Sequence, residues 1–331
     1  MMVKRSFVLS SALLATSLLS AQNETAPQKP NAIQFVHDPC IIKADAAYYV
    51  YATGPGIPMR RSTDLIHWEA IGQVFQKEPE WIKKEMPQSR GIWAPDIAYY
   101  GGRYHLHYAV STFGSNRSVI GAASNKTLDP ADKDYLWVDE GKVTESQRTD
   151  NYNAIDPAVL PIDRGRLALT FGSFWSGIKL MYLDAKTGKP LKDTQVIAIA
   201  QRPPPDALEA PFLIRRGKFY YLFVSFDYCC RGVNSTYNVR VGRSEHVEGP
   251  YVDKEGTPML GAGGTQLVAT EGQRIGPGHC AVLQDGRKDY LAYHYYDGAH
   301  NGVPTLQIAP MSWSRNGWPV VGRPLGQHSA W

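Results

Sequence analysis

The sequence predicts an all-β fold, a five-bladed β-propeller, and three observations support this prediction. A short motif recurs five times, in which an acid or a histidine lies beside proline or glycine. Each copy is followed by an aromatic and β-branched run bounded by turn residues, which is typical of β-hairpins. The copies are about 53–70 residues apart and fill the chain from residue 22 onward. Small antiparallel sheets at this period indicate a propeller, because radial repetition leaves only short, protected strand edges.

The five copies, called the anchors below, each open one predicted blade. They are Asp38, Asp96, Asp156, Glu209 and His279. Aromatic-rich strands follow them in order at residues 48–51, 104–108, 167–171, 219–223 and 290–294. Third strands are predicted at 119–123, 178–182 and 239–243. Because no long helical pattern competes with these strands, residues 22–331 are predicted to form a single five-bladed propeller domain.

The first 21 residues are predicted to be a secretory signal peptide. Lys4 and Arg5 precede the apolar run from Phe7 to Leu19, and Ala21 is the last residue before the expected cleavage. A buried helix is the alternative for this stretch. The rest of the chain has no apolar run of about 18 residues, which a membrane-spanning helix needs. We therefore expect a secreted or periplasmic protein without a membrane anchor, and a monomer.

Composition narrows the class of partner. Apolar residues make up 43% of the chain and charged residues 20%, which fits a globular protein with a large core and excludes a disordered chain or a coiled coil. The formal net charge is only +4, and no run of basic residues occurs. This pattern predicts neither nucleic acid nor an anionic membrane as a partner.

The four cysteines are Cys40, Cys229, Cys230 and Cys280, and their number is too small for a disulfide scaffold. Their spacing matches no zinc site. Cys229 and Cys230 are adjacent, so a bridge between them would be strained. We expect the cysteines to pack in the core, although pairing of Cys40 or Cys280 with a partner stays open.

The anchors predict chemistry because the first strand of each propeller blade lines the central channel. Side chains far apart in sequence would then share one depression. Carboxyls placed together repel each other, and burial disfavours their ionised form, so their pKa values should separate. A protonated carboxyl beside an ionised one can hydrolyse a glycosidic bond. The alternative is a ring of acids that binds a structural cation or caps backbone amides.

Four aromatic residues favour a sugar as the substrate. Trp93, Phe113, Phe174 and Trp175 precede an anchor or lie in loops that leave a second strand, where they would overhang the mouth of the channel. Flat apolar rings stack on the C–H face of a sugar. Core packing is the alternative for each of them.

Several motifs together resemble the arabinanases of glycoside hydrolase family 43, which are five-bladed propellers. They lie at residues 37–39, 91–96, 153–157, 173–177 and 209–211. Residues 225–232 and 293–297 are similar to the endo-1,5-α-L-arabinanase branch of that family. The resemblance implies that Asp38 is the general base, Glu209 the general acid and Asp156 the residue that raises the pKa of Glu209. It also implies inversion, for which the two carboxyls would stand about 6.5–9.5 Å apart.

The resemblance further implies contacts with the substrate and an ion on the propeller axis. The implied substrate-binding residues are His37, Trp93, Phe113, Gly114, Asn153, Ala154, Ile155, Ser173, Phe174 and Trp175. His279 matches the position that holds the ion, often calcium and largely through water, and no organic cofactor is expected. A single imidazole is a poor ligand for calcium, so a histidine that donates to a carboxylate is the alternative. Asp96 matches no catalytic residue of that family, and we interpret it as a structural residue.

These inferences predict a secreted, inverting hydrolase that cleaves internal α-1,5-L-arabinofuranosidic bonds of linear or debranched arabinan. Four alternatives stay open. They are an exo-acting arabinanase, an α-L-arabinofuranosidase or β-xylosidase on the same fold, a non-catalytic sugar-binding propeller, and a retaining propeller that cleaves fructans.

Overall fold

The structure is a computed structural model that describes residues 31–163 and 165–326. The predicted signal peptide, residues 1–21, lies outside these residues. Within them, twenty strands form five four-stranded antiparallel sheets, and in each sheet the strands follow the order of the chain. The prediction of five blades is confirmed. No helix of the described residues is long and apolar enough to cross a membrane.

The blades follow one another along the chain. The first contains β1 (Cys40–Ala44), β2 (Ala47–Tyr51), β3 (Pro58–Ser62) and β4 (Glu69–Gln73), and the second β5 (Trp93–Tyr100), β6 (Arg103–Val110), β7 (Ser118–Asn125) and β8 (Val138–Ser146). The third contains β9 (Ala158–Pro161), β10 (Arg166–Phe171), β11 (Ile178–Asp184) and β12 (Ile197–Ala200), and the fourth β13 (Leu208–Arg216), β14 (Phe219–Phe226), β15 (Asn238–Ser244) and β16 (Thr265–Val268). The fifth contains β17 (Arg274–Asp285), β18 (Lys288–Asp297), β19 (Val303–Trp313) and β20 (Pro319–Val321).

Helical structure is confined to short segments between strands. A single α-helix, α1 (Glu80–Glu85), is found among the described residues, between the first two blades. Three 3₁₀ turns cover Gly232–Asn234, Met259–Gly261 and Gly298–His300. The blades therefore carry the packing, and the helical turns belong to their connecting loops.

The first strands of the blades form a closed ring. Contacts join β1 to β5, β5 to β9, β9 to β13, β13 to β17, and β17 back to β1. The segment that leads into the first blade completes the closure, because the Val36 N–H donates to the Pro304 carbonyl of β19 and the Leu306 N–H donates to the Ile33 carbonyl. The two ends of the propeller are thus joined by backbone hydrogen bonds, and apolar side chains fill the space between neighbouring blades.

One residue with left-handed backbone geometry lies just before or within the first strand of every blade. These residues are Asp38, Ala94, Asp156, Ala210 and His279, with φ values of 52°, 43°, 55°, 55° and 48°. In the second, fourth and fifth blades this residue lies in a β-bulge of the first strand. In the first four blades it is followed by proline, which needs no ladder partner at a bulge because it has no N–H.

The left-handed residues show that the five anchors do not all occupy equivalent positions in their blades, contrary to the prediction from the sequence. Asp38, Asp156 and His279 occupy the equivalent position, but Glu209 lies one residue before it and Asp96 two residues after it. Because successive side chains along extended backbone point to opposite faces, small offsets change what a side chain meets. Asp96 accordingly accepts the Val159 N–H at 2.7 Å from the next blade and is almost completely buried.

The amides of four left-handed residues are bound by side chains of the preceding blade. The hydrogen bonds run from Asp38 N to His294 Nδ1 (3.1 Å), from Ala94 N to Thr53 Oγ1 (2.8 Å), from Ala210 N to Asp156 Oδ2 (3.1 Å) and from His279 N to Ser225 Oγ (2.8 Å). Four of the five blades therefore fix the left-handed residue of the next blade through a polar side chain.

Replacing Asp96 by asparagine should stabilise the protein at alkaline pH. Burial raises the pKa of Asp96 to about 7. A carboxyl whose pKa is raised in the folded state lowers the free energy of unfolding of the protein as the pH rises toward and through that value. Asp96→Asn removes this loss and keeps an oxygen for the Val159 N–H, so the free energy of unfolding should gain up to about 4 kcal/mol at pH 8.

Thermal unfolding at pH 5 and pH 8 measures this effect, with Asp193→Asn on the exposed surface as the control. Turnover should be retained in Asp96→Asn. An equal loss of stability at both pH values, or lost turnover in a folded protein, would contradict the structural role of Asp96.

Candidate active site

Asp38 opens the first blade, and imidazole and hydroxyl groups surround its carboxylate. His37 Nδ1 lies 2.8 Å and His279 Nδ1 3.1 Å from Oδ1, and Thr53 donates its hydroxyl to Oδ2 at 2.6 Å. Burial alone would raise the pKa of Asp38, but His37 and His279 outweigh it and hold this pKa well below its ordinary value. The carboxylate is therefore ionised at neutral pH, as a proton acceptor must be.

Glu209 is the second residue of β13, and two neutral hydroxyls donate to its carboxyl. Tyr237 donates to Oε1 at 2.7 Å, and Ser173 donates to Oε2 at 2.7 Å. Gly278 makes room for the tyrosine, since a Cβ atom there would lie 2.0 Å from the ring. Burial raises the pKa of Glu209, and the hydroxyls of Tyr237 and Ser173 offset only part of this effect.

Asp156 opens the third blade and adjoins the strand that carries Glu209. Its Oδ2 accepts the N–H of Ala210, the residue that follows Glu209. Burial raises the pKa of Asp156 to about 8, and the charges of Glu209 and Asp38 act in the same direction. The buried pair of Asp156 and Glu209 therefore retains a proton under conditions in which Asp38 is ionised.

His279 lies within β17, the first strand of the fifth blade, and the charges of all three carboxyls act on it. Burial would lower its pKa, but Asp38, Asp156 and Glu209 outweigh burial and raise this pKa to about 9. Its Nδ1 atom is taken by Asp38, so an ion could bind at Nε2 by displacing the proton that the raised pKa keeps there at neutral pH. Protein ligands at this place amount to one imidazole, so the donor set fits an ion held mainly through water.

A second group of side chains could in principle bind a metal ion, but its nitrogen atoms already have hydrogen-bond partners in the protein. His37, Asp38 and His294 have ligand atoms within 4.8 Å of one another. His37 Nδ1 faces the Asp38 carboxylate, and His294 Nδ1 accepts the Asp38 N–H. These nitrogens are occupied by protein partners, so we do not assign a metal to the group.

A cavity of about 580 Å³ opens beside Glu209. The predicted substrate-binding residues that line it are Trp93, Phe113, Gly114, Asn153, Ile155, Ser173, Phe174 and Trp175. Phe113 is 83% exposed, so its ring is free to meet a ligand. An apolar, aromatic wall beside a few polar groups is typical of a sugar-binding cleft.

Two predicted contact residues have other surroundings in the described part of the chain. Ala154 is fully buried and does not line the cavity; its N–H donates to Ser146 Oγ at 2.9 Å, which fixes the backbone between Asn153 and Ile155. His37 also lies outside the lining and contacts Asp38 instead. Among the described lining residues Asp38 and Asp156 are absent too, so Glu209 is the carboxyl anchor that borders the cavity.

Sequence reasoning missed two sets of residues at the site. The first set lines the cavity with Ser111, Thr112, Ser115, Asp206, Tyr228, Cys229, Cys230 and Arg231. The second set orients the carboxyls: Thr53, Tyr237, His294 and Tyr296. Alternation along 293–297 could have indicated that His294 and Tyr296 share one face of a strand. Tyr237 carries no comparable signal.

The expectation for the adjacent cysteines was wrong. Cys229 and Cys230 form a disulfide with each other, at the wall of the cavity. The turn of Tyr228–Arg231 accommodates the bridge because Cys230 adopts a left-handed conformation, with φ of 64°. Cys40 and Cys280 are free and buried, as expected for packing residues.

Comparison with known proteins agrees with this geometry. The chain matches the description "Glycosyl hydrolases family 43" over residues 27–319. It is 42% identical over 324 residues to the extracellular endo-α-(1→5)-L-arabinanase 1 of Bacillus subtilis, covering 96% of this chain and 97% of that protein. It is 41% identical over 298 residues to the extracellular exo-α-(1→5)-L-arabinofuranosidase ArbA of Cellvibrio japonicus, covering 86% of each.

A solved structure is similar throughout the propeller. The α-L-arabinanase of Cellvibrio cellulosa in complex with arabinohexaose superposes with a TM-score of 0.85 at 40% identity, covering 87% of this chain and 96% of that one. Fold, cleft and sequence agree, and this chain belongs to family 43 of the glycosyl hydrolases.

Proposed function

We propose that the protein is a secreted, inverting hydrolase of internal α-1,5-L-arabinofuranosidic bonds in arabinan. The observation that carries the proposal is the opposite shift of two pKa values in one electrostatic cluster. The pKa of Asp38 is lowered by its histidines, and the pKa of Glu209 is raised by burial. Relatives whose names state arabinan as the substrate support the choice of polymer.

In this mechanism Asp38 accepts a proton from water while the water oxygen attacks the anomeric carbon. The bond from that carbon to the leaving oxygen breaks in the same step, and Glu209 gives its proton to the leaving oxygen. The new bond forms on the face opposite to the broken one, so the configuration inverts. Ser173 and Tyr237, which donate to Glu209, orient the acid toward the cavity that it borders.

Asp156 acts in this proposal through Glu209 and not on the sugar. It binds the amide that follows Glu209, so it fixes the backbone beside the acid. The charges of Glu209 and Asp156 disfavour ionisation of both carboxyls together. A proton is thereby kept available for the leaving group at neutral pH.

Exo attack is the second candidate, and the comparison with known proteins supports it about as well. A relative named as an exo-acting arabinofuranosidase has nearly the same identity as one named as an endo-acting arabinanase. The relatives are named extracellular, which supports secretion, as does the predicted signal peptide.

One assay on debranched linear arabinan tests both endo cleavage and the role of Glu209 as the general acid. Wild type should lower the viscosity rapidly while few reducing ends appear. Glu209→Gln should lower kcat by about 10²–10⁴-fold, because the leaving oxygen loses its proton donor. Viscosity and reducing ends are followed in one assay, and proton NMR of the first product tests inversion.

Glu255→Gln, on an exposed loop, is the matched control and should keep the wild-type rate. Reducing ends that appear without a fall in viscosity would assign exo attack instead. Full activity of Glu209→Gln would show that Glu209 is not the general acid.

The Tyr237→Phe variant should move the basic limb of the pH profile to higher pH. The hydroxyl of Tyr237 lowers the pKa of Glu209, so its removal raises that pKa. An acid is lost as the pH rises through its pKa, so the fall of kcat/KM on the basic side should occur at higher pH than in wild type. The control is Tyr182→Phe, whose hydroxyl binds Glu248 on the surface. A shift to lower pH would argue against Glu209 as the acid.

Calcium at His279 stays a prediction. Nε2 would hold the ion and water would complete the shell, and the cation would lower the pKa of the neighbouring carboxyls. Elemental analysis of dialysed, active protein should find about one calcium per chain, and its removal should shift the pH optimum upward. Active protein without calcium would leave His279 as the partner of Asp38 alone.

A further inference from the structure

His37 lies between the carboxylate of Asp38 and the hydroxyl of Tyr296. His37 Nδ1 is 2.8 Å from Asp38 Oδ1, and His37 Nε2 is 2.8 Å from Tyr296 Oη. A carboxylate only accepts hydrogen bonds, so Nδ1 must carry a proton. In neutral imidazole Nε2 is then the acceptor, and Tyr296 must donate to it.

The hydroxyl of Tyr296 is itself oriented by the disulfide turn. The Cys230 N–H donates to Tyr296 Oη at 2.6 Å. A phenol oxygen that accepts this N–H can direct its own proton elsewhere, here to His37. His294 supports the arrangement, because its Nδ1 accepts the Asp38 N–H and its Nε2 therefore presents a hydrogen toward Tyr296 Oη, 3.4 Å away.

The bridge to Cys229 restricts the turn from which this amide is presented. Cys230 has left-handed backbone geometry, and its Sγ lies 3.8 Å from His37 Nε2. The turn therefore contacts both partners of the hydrogen bond between Tyr296 and His37. A covalent link between its two central residues limits the directions in which the Cys230 N–H can point.

We propose that Tyr296 and the Cys229–Cys230 turn are positioning elements for Asp38. They hold His37 in the tautomer that carries its proton on Nδ1, and that proton aims the Asp38 carboxylate. The inference deepens the proposed function and rests on it, because Asp38 is the base there. Tyr296 acts through His37 and does not touch the reacting atoms.

Loss of the Tyr296 hydroxyl removes the partner that keeps Nε2 unprotonated, so the share of the other tautomer of His37 should rise against the preference of Asp38. Its unprotonated Nδ1 would then face Asp38 Oδ1, and two acceptors would oppose each other at a distance that is now 2.8 Å. Thr53 and His279 still bind the carboxylate, so it should rotate rather than leave the site. Misplacement of a reacting group by about 1 Å can lower a rate by as much as about 100-fold.

The Tyr296→Phe variant tests the proposal on arabino-oligosaccharides. We expect kcat to fall about 10–100-fold, with KM and Tm close to those of wild type. Nitrogen-15 NMR of histidine side chains should show Nδ1–H at His37 in wild type and a larger share of Nε2–H in the variant, with the signal assigned through His37→Gln. Tyr295→Phe, one residue away on the same strand, is the matched control and should match wild type in both readouts.

Reduction of the bridge gives a second, independent arm. Dithiothreitol should lower kcat of wild type in the same direction, and it should have little further effect on Tyr296→Phe, because both changes release the same hydroxyl contact. Cys40 and Cys280 are already free thiols, so the bridge is the disulfide that reduction opens among the described residues. Independent, multiplicative losses would overturn the coupling between turn and tyrosine.

The outcomes separate this proposal from the proposed function. Active wild type with unchanged kcat and tautomer in Tyr296→Phe would overturn the positioning role and leave the function intact. Lower Tm with an unchanged tautomer would assign Tyr296 to packing alone, and this also overturns the proposal. If wild type does not cleave arabinan, the proposed function fails, and the tautomer signal still decides whether Tyr296 orients His37.

Discussion

The left-handed residue at the start of each blade is the constraint on which the site depends. For a residue with a side chain this conformation costs roughly 1–2 kcal/mol and must be held by its surroundings. Hydrogen bonds from four of these amides to side chains of the preceding blade supply that support. The supporting side chains include Asp156, and the supported residues include Asp38 and His279. Closure of the propeller and geometry of the site therefore rest on the same contacts.

The charge of the hydrogen-bond donors, more than burial, distinguishes the two carboxyls of the proposed reaction. Glu209 is buried and Asp38 keeps 13% of its side chain exposed, and each receives hydrogen bonds on both oxygens. The donors to Asp38 include the imidazolium of His279, whose pKa is raised to about 9, whereas those to Glu209 are neutral hydroxyls. Hydrogen bonds from charged donors are about twice as strong as neutral ones. A difference in donor type is thus sufficient to leave one carboxyl ionised and the other protonated.

The fold and the approach of the three carboxyls could be predicted because they depend on a repeat, and repeats are visible in sequence. The register of the anchors could not, since a residue before proline normally takes extended backbone, and Ala94 and Ala210 give no sign of left-handed geometry. The environment of Asp38 was missed for a related reason: His294 and Tyr296 reach it from the last blade, across the closure of the ring. The disulfide of Cys229 and Cys230 was not predicted either, because it depends on the left-handed backbone of Cys230, which the sequence does not reveal.

The carboxyls and the wall of the cavity come from different parts of the blades, and this explains why endo and exo action are hard to distinguish by sequence. The three carboxyls lie at or next to the first strands of their blades, and these positions are constrained by ring closure. The wall of the cavity comes largely from loops, at 111–115, 173–175 and 228–231. Loops can change length and shape without disturbing the ring. Relatives named for both modes thus share similar overall identity with this chain, and identity alone does not decide between the two modes.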